Sequence, residues 1–504
     1  VQALPSMCKI WGLMKSPERD SVNRIVLPLL PLIILVGSLL RVPSLEHESL
    51  WFDELASWFR SNSPDLGTVL ESIRGTVQSP GFETLLFFVQ KYLGDSEFAL
   101  RFPSAVAGVL AIPMIYLLAA QLYSPREGLI AAALMAVGWC PIYYSQEARA
   151  YSLLLLFSIL TFHLWISMMR AFHRGDSPSY RTMGLYLFSA TACAYLHYFG
   201  LYLVALQGLA AGAILVRKPE TLLKIIVIYL ALALLYLPWL PAMLEDLNRK
   251  EFWAKPPEIY SFVSHLQFIF GESPLIYTVV MGLYGHLLIR GLGIKEGSVL
   301  RIDPLSPGVL LSLWLVVPFI GAFVKSIIST SALISRYLII SLPPAYLLLS
   351  RAITQLPFKA RSQIAVALML VGLFLGDLIL VKHYYSLPHK PQWREAVEYI
   401  VERDALYEDS LIIGCALGQQ EHYLNYYFSK MDSPRRVDLR GCGQQHITNT
   451  MWLVDSKNPS YIWFIEAEEK PGQQFRGFLT QNFELVKRKT FVEARVSLFK
   501  VTPP

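Results

Sequence analysis

Between residues 25 and 381 apolar runs of about 20 residues recur, separated by short polar or charged segments. Each run is long enough to cross the ~30 Å hydrocarbon core of a bilayer as an α-helix. The composition leaves little room for another reading. Only 16% of the residues are charged and 54% are hydrophobic, with a mean hydropathy of +0.42. A soluble domain carries about 25% charged residues, so this chain lacks the charge that a water-facing surface requires. It is predicted to be an α-helical polytopic membrane protein. The net charge of +6 arises from basic residues in loops between the runs and is no footprint of a nucleic-acid partner.

The runs thread as about eleven spans, at 25–42, 102–122, 128–143, 151–169, 183–199, 201–216, 223–240, 274–289, 307–324, 337–350 and 363–381. Between the fifth and sixth, His197-Tyr198-Phe199-Gly200 allows only a tight turn. With the N-terminus cytoplasmic, the inner segments carry about 17 Lys and Arg and the longer outer loops about 11, leaving aside the residues after 381, as the positive-inside rule expects. Arg170, Arg174, Arg217, Lys218 and Arg351 are among the inner ones. This puts 43–101, 144–150, 241–273, 325–336 and everything after 381 outside. The expected organisation is a cytoplasmic segment 1–24, a transmembrane domain 25–381 with a long first outer loop 43–101, and an extracytoplasmic domain 382–504. Ile25–Val42 follows a polar, basic stretch and lacks a small-residue cleavage site, so it reads as a signal anchor that stays.

Within the first outer loop Leu66–Ile73 and Phe82–Tyr92 have amphipathic helical character. Reading the second as a span would invert every later loop, so it is expected to lie at the interface. After His383 the composition changes. Trp393–Ile400 and Gln419–Phe428 read as helices, and Leu411–Ala416, Tyr461–Ile465, Phe483–Phe491 and Arg495–Val501 as strands. This small α/β domain has no Gly-rich phosphate loop and no metal-ligand spacing, which points to binding or docking. Five cysteines are too few for a disulfide framework. Cys415 and Cys442 share the domain, and whether they pair depends on a Cβ separation that sequence does not give.

Several loop residues can carry chemistry. In Leu50-Trp51-Phe52-Asp53-Glu54 two adjacent carboxylates follow the first span. One can act as a general base on an acceptor hydroxyl while its neighbour orients it or binds a cation; the plainer reading is a helix N-terminus, where acids complement the dipole. In Tyr143–Ser152, Glu147 and Arg149 form either a weak interfacial ion pair or a site where a guanidinium fork grips a phosphate. His197-Tyr198 and Arg336-Tyr337 sit at outer span ends, where aromatic and cationic anchors are common. All of these loops share the face assigned to Asp53. Transporters keep polar sites at the bilayer midplane and often show repeats; neither feature is visible. A lipid-handling enzyme with its site at the outer interface fits better, and a lipid-linked sugar flippase and a non-catalytic subunit stand as the alternatives.

Taken in order, these motifs resemble the bacterial PMT-like (dolichyl-phosphate-mannose-protein mannosyltransferase-like) glycosyltransferases of the GT-C fold. That group is related to protein O-mannosyltransferases and to the aminoarabinose transferase that modifies lipid A. The resemblance covers about residues 25–381. It rests on Trp51–Glu54, Gly94–Ser104, Tyr144–Ser152, His197–Phe199, Ser335–Ile339 and Pro343-Pro344. It implies a GT-C membrane fold and a sugar donor carried on a polyprenyl phosphate. The acceptor hydroxyl would belong to a lipid, glycan or protein, and transfer would invert the anomeric carbon. Asp53 then matches the catalytic base, with Glu54 and Glu147 as acidic positions near the reacting centre. Arg149 and Arg336 would stabilise the leaving phosphate, and Tyr151, His197, Tyr198 and Tyr337 would complete substrate binding. A divalent metal ion, held by Glu54, Glu147 or His197, is left open. Where relatives carry His-Pro-Pro in the first loop, this chain has Ser79-Pro80-Gly81.

Overall fold

A computed structural model describes residues 17–248, 256–258, 260–291, 305–407, 409–415, 421–441, 444–467 and 470–501. Cys442 and most of the expected cytoplasmic segment lie outside the described residues. The chain forms two compact units. One comprises the residues up to Pro43, with Leu70–Phe82 and Arg101–Lys382; the other comprises Ser44–Val69, Glu83–Leu100 and His383–Pro504.

The first unit is helical; the expected spans overlap its helices with shifted bounds, the fifth ending at Leu196 rather than running on to 199. Among the described residues seven helices are long and apolar enough to cross a membrane. Two further pairs qualify if each is one bent span: Pro125–Val137 with Trp139–Ser145, bent by 57°, and Ser261–Phe270 with Pro274–Arg290, bent by 98°. The remaining two runs fall on the shorter apolar helix Pro28–Leu39 and on the 17-residue helix Tyr180–Leu196. Large apolar side chains are spent on the outside as well as the inside. Leu230 and Leu234 on Pro219–Tyr236, and Ile364 and Leu368 on Ala360–Gly376, are all exposed. Such surfaces suit lipid rather than water. Inside, Phe162 stacks on Trp314 at 4.3 Å, and Trp165, Phe172, Tyr186 and Tyr346 are fully buried. The buried Glu127 carboxylate accepts from Arg351 Nη1 and Thr354 Oγ1, both at 2.8 Å. This ties Pro125–Val137 to Leu342–Thr354.

The second unit contains a five-stranded sheet: β1 (Ser410–Cys415), β2 (Leu439–Arg440), β3 (Tyr461–Ala467), β4 (Glu484–Phe491) and β5 (Ala494–Lys500). The order is β2-β1-β3-β5-β4, with β2, β1 and β3 parallel and β5 antiparallel to both β3 and β4. β1 and β3 are buried along nearly their whole length and mainly apolar, Glu466 near the end of β3 excepted, as suits strands covered on both faces, whereas β4 is exposed along most of its length, as befits an edge. Cys415 is disulfide-bonded. The expected strands and the Trp393–Val401 helix are present; helices Gln444–Lys457 and Lys470–Asn482 were not foreseen, because neither has a strong apolar stripe. The first-loop helix Phe52–Ser61 belongs to this unit, and Leu66–Ile73 and Gly81–Leu93 straddle the division.

Candidate active site

In the second unit, Asp53 and Glu54 occupy the first turn of helix Phe52–Ser61, so the dipole reading of the sequence holds for both. Their surroundings differ. Asp53 is half-buried, whereas Glu54 is fully buried and its Oε2 accepts from the Trp51 backbone N–H at 3.2 Å and from Lys390 Nζ at 3.1 Å. Lys390 is itself 2% exposed on its side chain. The loop leading to Asp53 is fixed from both sides of Lys390. Ser49 Oγ donates to the Pro391 carbonyl at 2.5 Å and accepts from the Trp393 N–H at 3.2 Å. The His389 N–H donates to the Glu48 carboxylate, and Arg394 Nη2 to the His47 carbonyl at 2.8 Å.

The remaining expected residues lie in the first unit, and most of them come together there. The Glu147–Arg149 turn follows the bent helix pair ending at Ser145. Glu147 is fully buried and Arg149 is 9% exposed. Ser104 Oγ donates to the Arg149 carbonyl at 3.0 Å, and the Arg149 N–H to the Glu147 carbonyl at 2.8 Å. Tyr151 begins the next helix; its ring lies 6.2 Å from His197 and 6.5 Å from Tyr337. His197 and Tyr337 are 4.8 Å apart, with the Arg336 guanidinium 5.9 Å from the Tyr337 ring.

The tight turn at His197 has a clear cause. His197 is extended (φ −165°, ψ 146°) between helices Tyr180–Leu196 and Tyr198–Leu215, and its Nδ1 accepts from the Phe199 N–H at 3.1 Å. The imidazole thus caps the second helix, which leaves the proton on Nε2 in the neutral form. Gly200 is needed because a Cβ there would lie 2.0 Å from the Cys193 carbonyl oxygen. Outside both helices and facing a cavity rather than bulk solvent, His197 has its pKa held down to about 3, first by burial, then by the charges of Arg149 and Arg336. It is a neutral hydrogen-bonding ring between two cations.

That cavity, of about 450 Å³, is walled mainly by apolar groups, with His197, Tyr198, Tyr202, Asp246, Lys325 and Tyr337 on its lining. Tyr198 Oη donates to Asp246 Oδ2 at 2.6 Å, and the N–H of Val77 donates to Asp246 Oδ1 at 3.3 Å. Val77 has φ 58°, a left-handed conformation unusual for a β-branched residue. Nearby, the Ser79-Pro80-Gly81 departure has a steric reason: a Cβ on Gly81 would meet the Tyr195 carbonyl oxygen at 2.7 Å. Lys325 donates to the Thr330 carbonyl at 3.0 Å. Asp246, Lys325 and Lys390 escaped the sequence reading because each is an isolated charge in a loop or at a helix end, and only folding gives it a context.

Residues 77–243 match the family model described as dolichyl-phosphate-mannose-protein mannosyltransferase. No curated protein matches the sequence. Among solved structures, ArnT from Cupriavidus metallidurans in the apo state aligns over 95% of this chain and 98% of its own, with a TM-score of 0.61 at 12% identity. The fold is that of ArnT. The same protein bound to undecaprenyl phosphate gives a TM-score of 0.57 at 12% identity, over 94% of this chain and 98% of that one. At this identity the ArnT likeness speaks for the fold alone, and the family model covers only residues 77–243.

The residues present do not suit a metal ion. Among the described residues no three His, Cys, Asp or Glu side chains are grouped to hold one. Glu54, expected as a ligand if a metal were used, has its carboxylate engaged by an ammonium group, and His197 spends Nδ1 on its helix cap.

Proposed function

We propose that this chain is a GT-C glycosyltransferase with about eleven spans that transfers a sugar from a polyprenyl-phosphate donor to an acceptor hydroxyl, with inversion, on the outer face of the cytoplasmic membrane. The observation that carries the reading is the grouping of Arg149 and Arg336 around a neutral His197, beside a cavity with mainly apolar walls in a helical unit whose outside is also apolar. Two guanidiniums next to an apolar chamber suit a phosphate on a hydrocarbon chain. The ArnT complex with undecaprenyl phosphate supports the same ligand class.

In this reading Asp53 takes the proton of the acceptor hydroxyl as its oxygen bonds to the anomeric carbon. The bond from that carbon to the phosphate oxygen breaks, and polyprenyl phosphate leaves with the electron pair. The sugar passes through an oxocarbenium-like transition state. A phosphate leaving group needs cations more than a proton, and Arg149 and Arg336 supply them where charge accumulates. Glu147, Tyr151, Tyr198 and Tyr337 position the sugar and the phosphate. The acceptor is a lipid, glycan or protein. The Cys415 disulfide is consistent with an oxidising compartment for the C-terminal residues.

The test uses purified full-length protein in lipid vesicles with a panel of undecaprenyl phosphates, each carrying one radiolabelled hexose or pentose. Release of undecaprenyl phosphate with the label transferred supports the enzyme; movement of intact labelled donor across the bilayer identifies a flippase. Asp53→Asn should keep the fold and lower turnover by about 100-fold or more. Wild-type turnover in that variant removes Asp53 as the base.

A further inference from the structure

Glu54 and Lys390 are separated by 336 residues in sequence, yet both are almost completely buried and meet at 3.1 Å. The same Glu54 oxygen caps the helix on which Asp53 is the second residue. A buried carboxylate is tolerated where a cation compensates its charge. In many enzymes that cation is a metal ion; here an ammonium occupies the place beside Glu54. Nor is its position accidental. The residues flanking Lys390 are pinned to the acidic loop through Glu48 and Ser49, so the side chain is delivered to Glu54 by a backbone with little freedom to withdraw. A lysine is well suited to this, since its head is a compact point charge on an apolar stem that packs in a buried site.

We propose that Lys390 is the resident cation of the acidic loop, a positioning residue that fixes Glu54 and with it the helix turn that carries Asp53, and that the protein therefore works without a divalent metal ion. The proposal rests on the assignment of Asp53 as the base, but part of its test does not. Lys390 compensates Glu54 permanently, so no divalent ion is needed there. Removing its ammonium takes a charge partner from a fully buried carboxylate.

The experiment uses the full chain in nanodiscs, with Mn²⁺ as the probe. Wild-type protein washed with a chelator should show no rise in melting temperature on adding Mn²⁺, and its release of undecaprenyl phosphate from the labelled panel should be unchanged. Lys390→Ala should melt lower and lose about tenfold or more in kcat with little change in donor KM, as expected of a residue that acts through Glu54. Lys390→Arg should behave like wild type toward Mn²⁺. If Lys390→Ala does not fold, the paired variant Glu54→Gln/Lys390→Met, which removes both charges, should fold and show no Mn²⁺ shift. Chelator-sensitive wild-type activity restored by Mn²⁺ overturns the proposal, as does a Lys390→Ala protein with wild-type kcat. The melting arm needs no substrate, so it judges Lys390 even if Asp53→Asn retains turnover and the base assignment fails.

Discussion

Arg41 donates through Nε to Ser145 Oγ at 3.2 Å, across 104 residues of sequence, from a side chain with no exposed surface. The other guanidinium nitrogens reach the carbonyls of Ala136 at 2.8 Å and Met135 at 2.7 Å, at the end of the helix that bends by 57° before Ser145. Gln146 Nε2 returns a bond to the Arg41 carbonyl at 2.9 Å. One fork therefore sets the bend and holds the start of the turn that carries Glu147 and Arg149. Arg41→Lys keeps the charge but cannot span these acceptors, and each buried carbonyl left unsatisfied costs about 1–3 kcal/mol. The variant should melt lower, with faster amide exchange over residues 143–152 than wild type. Gly108→Ala should reproduce this from the other side, since its Cβ would lie 1.9 Å from Ser145 Oγ. Wild-type exchange in both would remove Arg41 as the clamp.

Arg149→Ala and Arg336→Ala should each weaken binding of undecaprenyl phosphate by roughly tenfold or more, the size of a lost charge-assisted hydrogen bond of about 1.5–3 kcal/mol. Titration of the lipid phosphate into nanodisc-held protein measures this directly. The loss should shrink for an uncharged polyprenol, because only the phosphate uses the guanidiniums. Equal affinity of wild type and both variants would make the two arginines membrane-interface anchors.

His197 gives a pH signature with a defined sign. Its folded pKa, about 3, lies below the unfolded value of about 6.5. Between these values the unfolded chain binds a proton that the folded protein refuses, so stability rises with pH across the window and is lost progressively as pH falls below about 6.5. Melting temperatures in detergent from neutral to acidic pH should decline less steeply in His197→Gln than in wild type. Parallel curves for the two proteins would show that the ring is not held neutral by its surroundings.

The sequence was most legible where structure is local. Leu66–Ile73 folds as a helix over those residues, the helix break falls at His197, and strands run through Tyr461–Ile465 and, one residue later than expected, Glu484–Phe491. Apolar periodicity and one tight turn were enough for these. The proximity of Arg336 and Tyr337 to His197 was suggested by loop topology alone. What was not legible is pairing across long separations. Nothing near Lys390 in the sequence points to Glu54, and nothing around Arg41, inside the first expected span, points to the carbonyls it is buried among. Partners of this kind are fixed by the fold and leave no spacing rule behind them.

The Gly94–Ser104 motif is given a structural use by Asp95 and Glu97. Asp95 pairs with Lys430 and accepts from Trp58 Nε1 at 3.2 Å, while Tyr426 donates to its carbonyl at 2.9 Å. Glu97 takes Arg394 at 2.5 Å and the Tyr427 hydroxyl at 2.8 Å, and it is 8% exposed. Arg394 also holds the His47 and Glu46 carbonyls, so the Glu97 carboxylate orders the segment that leads to Asp53. Removing one partner of a largely buried pair leaves the other charge without compensation, at about 3–5 kcal/mol for full burial and less here because Arg394 is partly exposed. Glu97→Ala should therefore lower the melting temperature more than Glu97→Gln, which still accepts from Tyr427. In limited proteolysis both variants should be cut sooner than wild type between residues 44 and 50 or between 383 and 392. If Glu97→Ala melts and is cleaved like wild type, the motif does not organise the segment that leads to Asp53.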